Sequence, residues 1–254
     1  MALFNLGTLG STPVVRDNFS LTTTDPTDVF KFQITSGKNI NLSMTDISAG
    51  DDADIRLFRD ANNNGVLDSF DRNVGLVSNR GSNQDEAINF KTSSGTFFAE
   101  VSRFASGSSG NVSYDLALSA TQPSGTFPIS ASFSNLLPKE FVLGNLSADV
   151  TRTGNVNNQN TTDVYNFSLG FFEGVNIKLD GLNGDADIRL IRDSNNNRIV
   201  DAGEEVARST SGGTGSELIS NTNLSGDYFL QVTQFSTSNY TVTFDHFTTP
   251  FALV

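Results

Sequence analysis

Two twelve-residue stretches of this 254-residue chain place oxygen-bearing side chains at the same five positions. The first runs from Asp60 to Asp71 and offers Asp60, Asn62, Asn64, Asp68 and Asp71. The second runs from Asp193 to Glu204 and offers Asp193, Asn195, Asn197, Asp201 and Glu204. Positions 1, 3, 5, 9 and 12 are the side-chain ligand positions of an EF-hand-type calcium loop. Position 7 gives only its backbone carbonyl, so Val66 and Ile199 are allowed there. Gly65 at position 6 suits the sharp turn, whereas Arg198 at that position of the second loop is expected to strain it. Asp71 ends the first loop with a shorter arm than Glu204, which suits binding through one oxygen or through water. With three carboxylates per loop, binding is expected in the weak extracellular range, roughly 10⁻⁴–10⁻³ M. The spacing therefore predicts two Ca²⁺ sites that tie a long loop down and do no chemistry. The competing reading is an Asn-rich turn whose side chains cap their own backbone.

Each loop follows the same lead-in, Asp52-Ala53-Asp54-Ile55-Arg56-Leu57 and Asp185-Ala186-Asp187-Ile188-Arg189-Leu190. Alternation along a strand puts both carboxylates of each pair on one face. They are open to the calcium sites or to pairing with Arg56, Arg59, Arg189 and Arg192, and surface pairing is the safer expectation. Catalytic constellations are hard to assemble. The single histidine, His246, has no counterpart in the other half, no Gly-x-Ser-x-Gly motif occurs, and a lone histidine near the end reads as a surface residue. The chain is read as no enzyme.

Composition narrows the partners. A formal charge of −12 opposes binding to nucleic acid or to anionic membranes. The absence of cysteine excludes disulfides and thiolate chemistry. No apolar run approaches the ~18 residues of a membrane span. Met1–Gly7 lacks the basic and apolar regions of a secretory signal peptide. The apolar end Phe251-Ala252-Leu253-Val254 reads either as a final strand or as a C-terminal export signal.

The elements that must hold the loops are strands. Val29-Phe30-Lys31-Phe32-Gln33-Ile34 alternates with Phe30, Phe32 and Ile34 on one face, and Ile40, Leu42 and Met44 repeat the pattern, as do Val175, Ile177 and Leu179. With 21 Phe and no Trp, these faces predict Phe-rich cores between packed sheets. The halves align end to end. Phe4–Leu9 matches Phe141–Leu146, Asp28–Phe32 matches Asp163–Phe167, Gly95–Val101 matches Gly226–Val232, and Ser113–Leu118 matches Asn239–Phe244. This tandem duplication predicts an all-β protein with domains at 1–120 and 140–248, a linker or connector strand at 121–139, and a tail at 249–254. An extra strand is a candidate at Ile129–Ser134.

In order and type, the Asp28–Phe32, Ala53–Leu57, Gly95–Val101 and Tyr114–Leu118 segments resemble the bacterial pre-peptidase C-terminal domain family. Their copies Asp163–Phe167, Ala186–Leu190, Gly226–Val232 and Tyr240–Val242 repeat the resemblance over nearly the whole chain. It implies jelly-roll-like β-sandwiches that are extracellular, often calcium-stabilised and usually appended to secreted proteases, some binding collagen or polysaccharide. The chain departs from that pattern in having no protease domain and in extending a short turn into the Asp-x-Asn-x-Asn loop. Two functions are therefore expected. One is a calcium-binding structural or adhesive protein of the cell surface or matrix, with itself as partner in a homopolymer built by strand addition or tail exchange. The other is a soluble module that recognises a surface glycan or matrix protein, such as an accessory to a secreted hydrolase, with Tyr165 and Tyr228 as candidate contributors.

Overall fold

A computed structural model describes residues 2–73, 75–107, 110–123 and 132–248. The chain divides into two compact units, Met1–Gln122 and Pro123–Val254. In the first, a five-stranded sheet has the spatial order β1 (Ala2–Thr8), β3 (Thr27–Ile34), β8 (Gly95–Ala105), β5 (Asp52–Arg59), β6 (Gly75–Ser78). It faces a four-stranded sheet of β2 (Val14–Leu21), β9 (Val112–Thr121), β4 (Lys38–Thr45) and β7 (Glu86–Thr92).

The second unit repeats this plan. Its five-stranded sheet runs β10 (Phe141–Asn145), β12 (Thr162–Leu169), β17 (Gly226–Gln234), β14 (Ala186–Ile191), β15 (Glu205–Ser209). Its four-stranded sheet runs β11 (Val150–Val156), β18 (Ser238–Thr248), β13 (Glu173–Asp180), β16 (Glu217–Thr222). The strand pairs are antiparallel except β1 with β3 and β10 with β12. Among the described residues the only helical element is one 3₁₀ turn, Asp71–Asn73. The fold is all-β, two tandem jelly-roll-like sandwiches.

The cores form as the alternation dictates. Phe30, Phe32, Ile34, Ile40, Leu42 and Met44 are buried in the first sandwich, and Val175, Ile177 and Leu179 in the second. The glycine shared by the opening strands has a definite task. At Gly7 and Gly144 the backbone takes φ near +70° and the register with the neighbouring strand shifts by one residue. Such a bulge is cheap only for glycine, and it is followed by the buried Leu9 and Leu146.

Phenylalanine is not confined to the cores. Phe70, Phe104, Phe171 and Phe172 are exposed on turns and strand ends. Of the extra strand expected at Ile129–Ser134, residues 129–131 lie outside the described residues, and 132–134 belong to no strand. Residues 132–140 run as a connector with one isolated bridge, Leu136 to Ile199. The tail at 249–254 lies outside the described residues.

The repeated aspartate of Asp28–Phe32 and Asp163–Phe167 closes each sandwich. Tyr114 from β9 donates its hydroxyl to Asp28 at 2.7 Å. Tyr240 from β18 donates to Asp163 and shares a 2.8 Å bond with Tyr165. All five side chains are buried. Burial raises the Asp28 carboxyl above its ordinary range, and the Tyr114 hydroxyl opposes that rise. Tyr114→Phe should therefore lower unfolding stability by ~1–3 kcal/mol, since it leaves a buried acceptor without its donor. Urea denaturation at neutral pH measures this, and an unchanged midpoint would refute the closing role.

Candidate metal centre

The lead-in strands deliver the loops. On β5, Ala53, Ile55 and Leu57 join the core, while Phe58 packs with Val29 and Phe98 on the outer face of the sheet. On β14, Ala186, Ile188 and Leu190 are core, and Ile191 lies with Val164 and Phe229 on the outer face. Asp60 then leaves the sheet edge buried, its N–H bonded to the Thr96 carbonyl at 3.0 Å. Leu67 and Val200, the eighth residues of the two loops, drop back onto the outer-face clusters and anchor the far side.

Inside the first loop the carboxylates are wrapped by main-chain donors. Asp60 accepts from the N–H groups of Asn64 at 3.1 Å and Gly65 at 2.8 Å. Asp71 accepts from Ala61 at 2.7 Å and Asp68 at 3.0 Å. Asp68 accepts the side-chain amides of Asn62 at 3.0 Å and Asn64 at 2.8 Å on one oxygen. The second loop repeats the set. Asp193 accepts from Asn197 at 3.2 Å and Arg198 at 3.0 Å, and Glu204 accepts from Ser194 at 2.8 Å and Asp201 at 2.9 Å. Asn195 and Asn197 both donate to Asp201 at 2.8 Å. Asp71 spans the same two donors as Glu204 despite its shorter arm, because it opens the 3₁₀ turn Asp71–Asn73. The Asn62 and Asn64 amides hold the Asp68 carboxyl below its usual range.

The side chains of positions 1, 3, 5, 9 and 12 thus share one hydrogen-bonded cradle in each loop. Val66 is exposed and Ile199 half-buried, as position 7 permits. The donors are hard oxygens, which suit calcium better than a softer metal. Among the described residues no three His, Cys, Asp or Glu side chains make a metal-holding group by themselves. A site here would draw on the asparagine oxygens as well. Asn62 and Asn64 now turn nitrogen toward Asp68, and their oxygens accept from the N–H groups of Asn64 and Val66 in Asx turns. For an asparagine oxygen to face a cation, a half-rotation of the amide would give up both its turn bond and its bond to Asp68, at about 1 kcal/mol per bond.

Arg198 takes φ +60° where Gly65 takes +74°, so the expected strain at the sixth position is present. Its surroundings hold it there. The Arg198 N–H bonds Asp193, its carbonyl accepts from the Leu137 N–H at 2.9 Å, and its guanidinium lies 5.4 Å from the Phe229 ring centre. In the first loop, Lys31 donates to the Gly65 carbonyl at 2.8 Å.

The lead-in arginines mostly serve backbone. Arg59 and Arg192 donate to the carbonyls of Ser94 and Ser225 in the hairpins that follow, and Arg189 bonds Gln231 at 2.8 Å and pairs with Glu205 at 3.5 Å. Asp52 and Asp54 do share a face, and burial together with the Asp52 charge raises the Asp54 carboxyl, with Arg56 opposing. His246 is not the surface residue its position suggests. Its side chain is 11% exposed, with Nε2 3.9 Å from a Glu173 oxygen. Tyr165 and Tyr228 are buried and present no aromatic groove.

A second duplicated acid escaped the sequence reading. Glu86 and Glu217 are fully buried where β7 and β16 begin. Glu86 bonds the Ser78 hydroxyl and the Arg80 N–H, and Glu217 bonds the Ser209 hydroxyl and the Ser211 N–H. Each stitches the short strand after its loop, β6 or β15, to the opposite sheet. The signal was a serine eight residues before each glutamate, at the close of the strand that follows each loop.

The family model described as the bacterial pre-peptidase C-terminal domain matches residues 26–103 and 161–234. No curated protein matches the sequence. Among solved structures, the chain is similar to the pre-peptidase C-terminal domain of a Bacillus anthracis collagenase, with 20% identity and a TM-score of 0.32 over 46% of this chain and 93% of that one. It is also similar to PliG, a periplasmic inhibitor of g-type lysozyme from Aeromonas hydrophila, with 12% identity and a TM-score of 0.28 over 42% of this chain and 98% of that one. The match of the family model, not these neighbours, carries the assignment.

Burial pushes Glu86 from 4.5 up to about 7. A folded value above the unfolded one means that the folded state holds the proton more tightly. The resulting stability is complete below pH 4.5 and is lost as pH rises through about 7. The loss is on the order of 3 kcal/mol. Glu86→Gln should flatten the stability profile across that window, and denaturation midpoints that fall with pH as steeply as in the parent would refute it.

Proposed function

Because this chain belongs to the bacterial pre-peptidase C-terminal domain family, whose domains are non-catalytic accessory modules of secreted proteins, we propose that it is a calcium-stabilised structural or adhesive protein of the cell surface or matrix. One observation carries this reading: two loops of unrelated position-6 residues build the same cradle of carboxylate and amide oxygens. Each would hold one Ca²⁺ through Asp60, Asn62, Asn64, the Val66 carbonyl, Asp68 and Asp71, or through Asp193, Asn195, Asn197, the Ile199 carbonyl, Asp201 and Glu204.

Calcium's role in this reading is mechanical. The ion replaces weak amide donors with a divalent centre and relieves repulsion among three carboxylates in a chain of net charge −12. That fixes the start of the edge strands β6 and β15. Ordered edge strands are templates for pairing with another copy, which gives a route to a homopolymer by strand addition. Catalysis plays no part. Secretion accords with the family, and among the described residues no helix is long and apolar enough to cross a membrane.

The test is thermal melting and light scattering in about 2 mM calcium and in chelator. At a dissociation constant near 10⁻⁴ M each site adds ~1.8 kcal/mol at that concentration. Calcium should raise the melting temperature by several degrees, and Asp60→Ala with Asp193→Ala should abolish the rise. Scattering should report particles larger than a monomer in calcium and their loss in chelator. Equal melting temperatures in the two buffers would remove calcium from the account. A monomer under both conditions would remove self-assembly.

A further inference from the structure

The four-stranded sheets of the two sandwiches differ along one edge, β2 in the first and β11 in the second. On β2 the register with β9 shifts between Arg16 and Phe19, so Asp17 and Asn18 together stand against the single residue Asp115. Asn18 takes φ +60°, and its N–H bonds the Asp115 carboxylate at 2.6 Å. A bulge with an exposed charge, here Asp17, keeps an edge strand from pairing with another chain. β11 carries no such device. Its seven residues pair with β18 from Val150–Phe244 to Val156–Ser238 without a shift, and none is proline or acidic. Gly154 stands against Tyr240 as Phe19 stands against Tyr114, which puts Thr153 alone where Asp17 and Asn18 form the bulge.

The outer side of β11 is open. Thr151, Arg152 and Thr153 are exposed, and among the described residues no strand lies beyond β11. Val150 and Val156 pack on the core, so Thr151, Thr153 and Asn155 turn to the other face of the sheet. Their peptide groups point off the edge. The Thr151 carbonyl accepts the Arg152 guanidinium at 2.9 Å, and the Asn155 carbonyl accepts the Asn160 amide at 3.5 Å. Neither donor belongs to β18. Peptide groups alternate sides along an antiparallel ladder, so Thr153, midway between these two residues, points outward as well. An exposed guanidinium and a bond longer than the ordinary range are what a new strand would replace at these carbonyls.

We propose that β11 pairs with β11 of a second copy of this chain, antiparallel about a two-fold axis at Thr153. Outward residues must meet outward residues for the ladder to form, which limits the register to Thr151, Thr153 and Asn155 opposite one another. Centring the axis on Thr153 uses the whole strand, with Val150 against Val156, Thr151 against Asn155 and Arg152 against Gly154. The strand's one charged side chain then lies across from the residue that has no side chain. Centring on Arg152 would set two guanidinium groups against each other, and like charges directly opposite are unfavourable. Copies with a formal charge of −12 repel, yet the paired strands bring no carboxylate to the seam. The contact is isologous, so it closes at two copies. A seven-residue edge buries less than the ~1,200 Å² at which stable interfaces begin, so the dimer is weak and fills in concentrated solution. It requires no calcium, because β11 belongs to the four-stranded sheet while the loop leaves β14 in the five-stranded one. It therefore goes beyond assembly through β6 and β15 and does not rest on it.

Sedimentation equilibrium of the full chain at rising protein concentration, in chelator and enough salt to screen the net charge, tests it. The parent chain should shift from monomer toward dimer. Thr153→Lys and Thr153→Glu, both at an exposed position, should stay monomeric with the melting temperature unchanged, since each sets like charges across the axis. An equal mixture of the two variants should recover the dimer, because lysine then faces glutamate. A parent chain that stays monomeric throughout would overturn the proposal. So would a dimer that survives either substitution, or a mixture that stays monomeric although both variants melt as the parent does. With chelator present throughout, failure here leaves the calcium reading standing, and failure of that reading leaves this pairing untouched.

Discussion

Alternation along β5 and β14 is the constraint on which both the cores and the loops depend. Ala53, Ile55 and Leu57 point into one core, and Ala186, Ile188 and Leu190 into the other, so the register of these strands cannot slip by a single residue. A slip would carry Asp54 and Arg56 into the core and leave the apolar residues in water. With the register pinned, each strand releases its loop from one point, and the first carboxylate emerges against backbone N–H groups, Asp60 buried and Asp193 half-buried. Leu67 and Val200 hold the other side by packing on the outer face. The loop is thus fixed at its start and near its end by apolar contacts, and its polar centre has little freedom left to lose when a cation arrives.

The carboxylates of each loop are met by hydrogen-bond donors. In both loops the backbone supplies the donors, two N–H groups to the first acid and two to the last. The asparagine amides complete the set by turning toward the central aspartate. The amide oxygens and carboxylates of this cradle are the groups a hard divalent cation prefers. The two halves solve the sixth position differently. Gly65 adopts its left-handed backbone freely, while Arg198 is held in that region by a stacked ring and a connector segment that bridges to Ile199.

Much of this was legible in the sequence because it is periodic and duplicated. Period-two runs such as Phe30, Phe32 and Ile34 announced the cores, and the matched segments announced two sandwiches. The spacing of loop oxygens named residues that do come together. What stayed hidden depends on contacts distant in sequence and without period. Nothing local marks Leu136 and Leu137 as a segment bound across a sheet, since their seat is built by Val164, Ile191 and Phe229. Glu86 and Glu217 looked like surface acids until their serine partners folded over them. His246 read as exposed because its cover comes partly from Glu173, on a strand far upstream. The exposed Phe70, Phe104, Phe171 and Phe172 were indistinguishable by type from their buried relatives.

The claim at the centre of this account is that each loop is a calcium site. Native mass spectrometry of the purified chain, sprayed from calcium-containing and then magnesium-containing buffer, counts the ions directly. The account predicts two calcium ions per chain, one fewer when either Asp60 or Asp193 is replaced by alanine, and no comparable uptake of magnesium. A chain that carries no calcium, or that keeps its full count after both aspartates are gone, would contradict it.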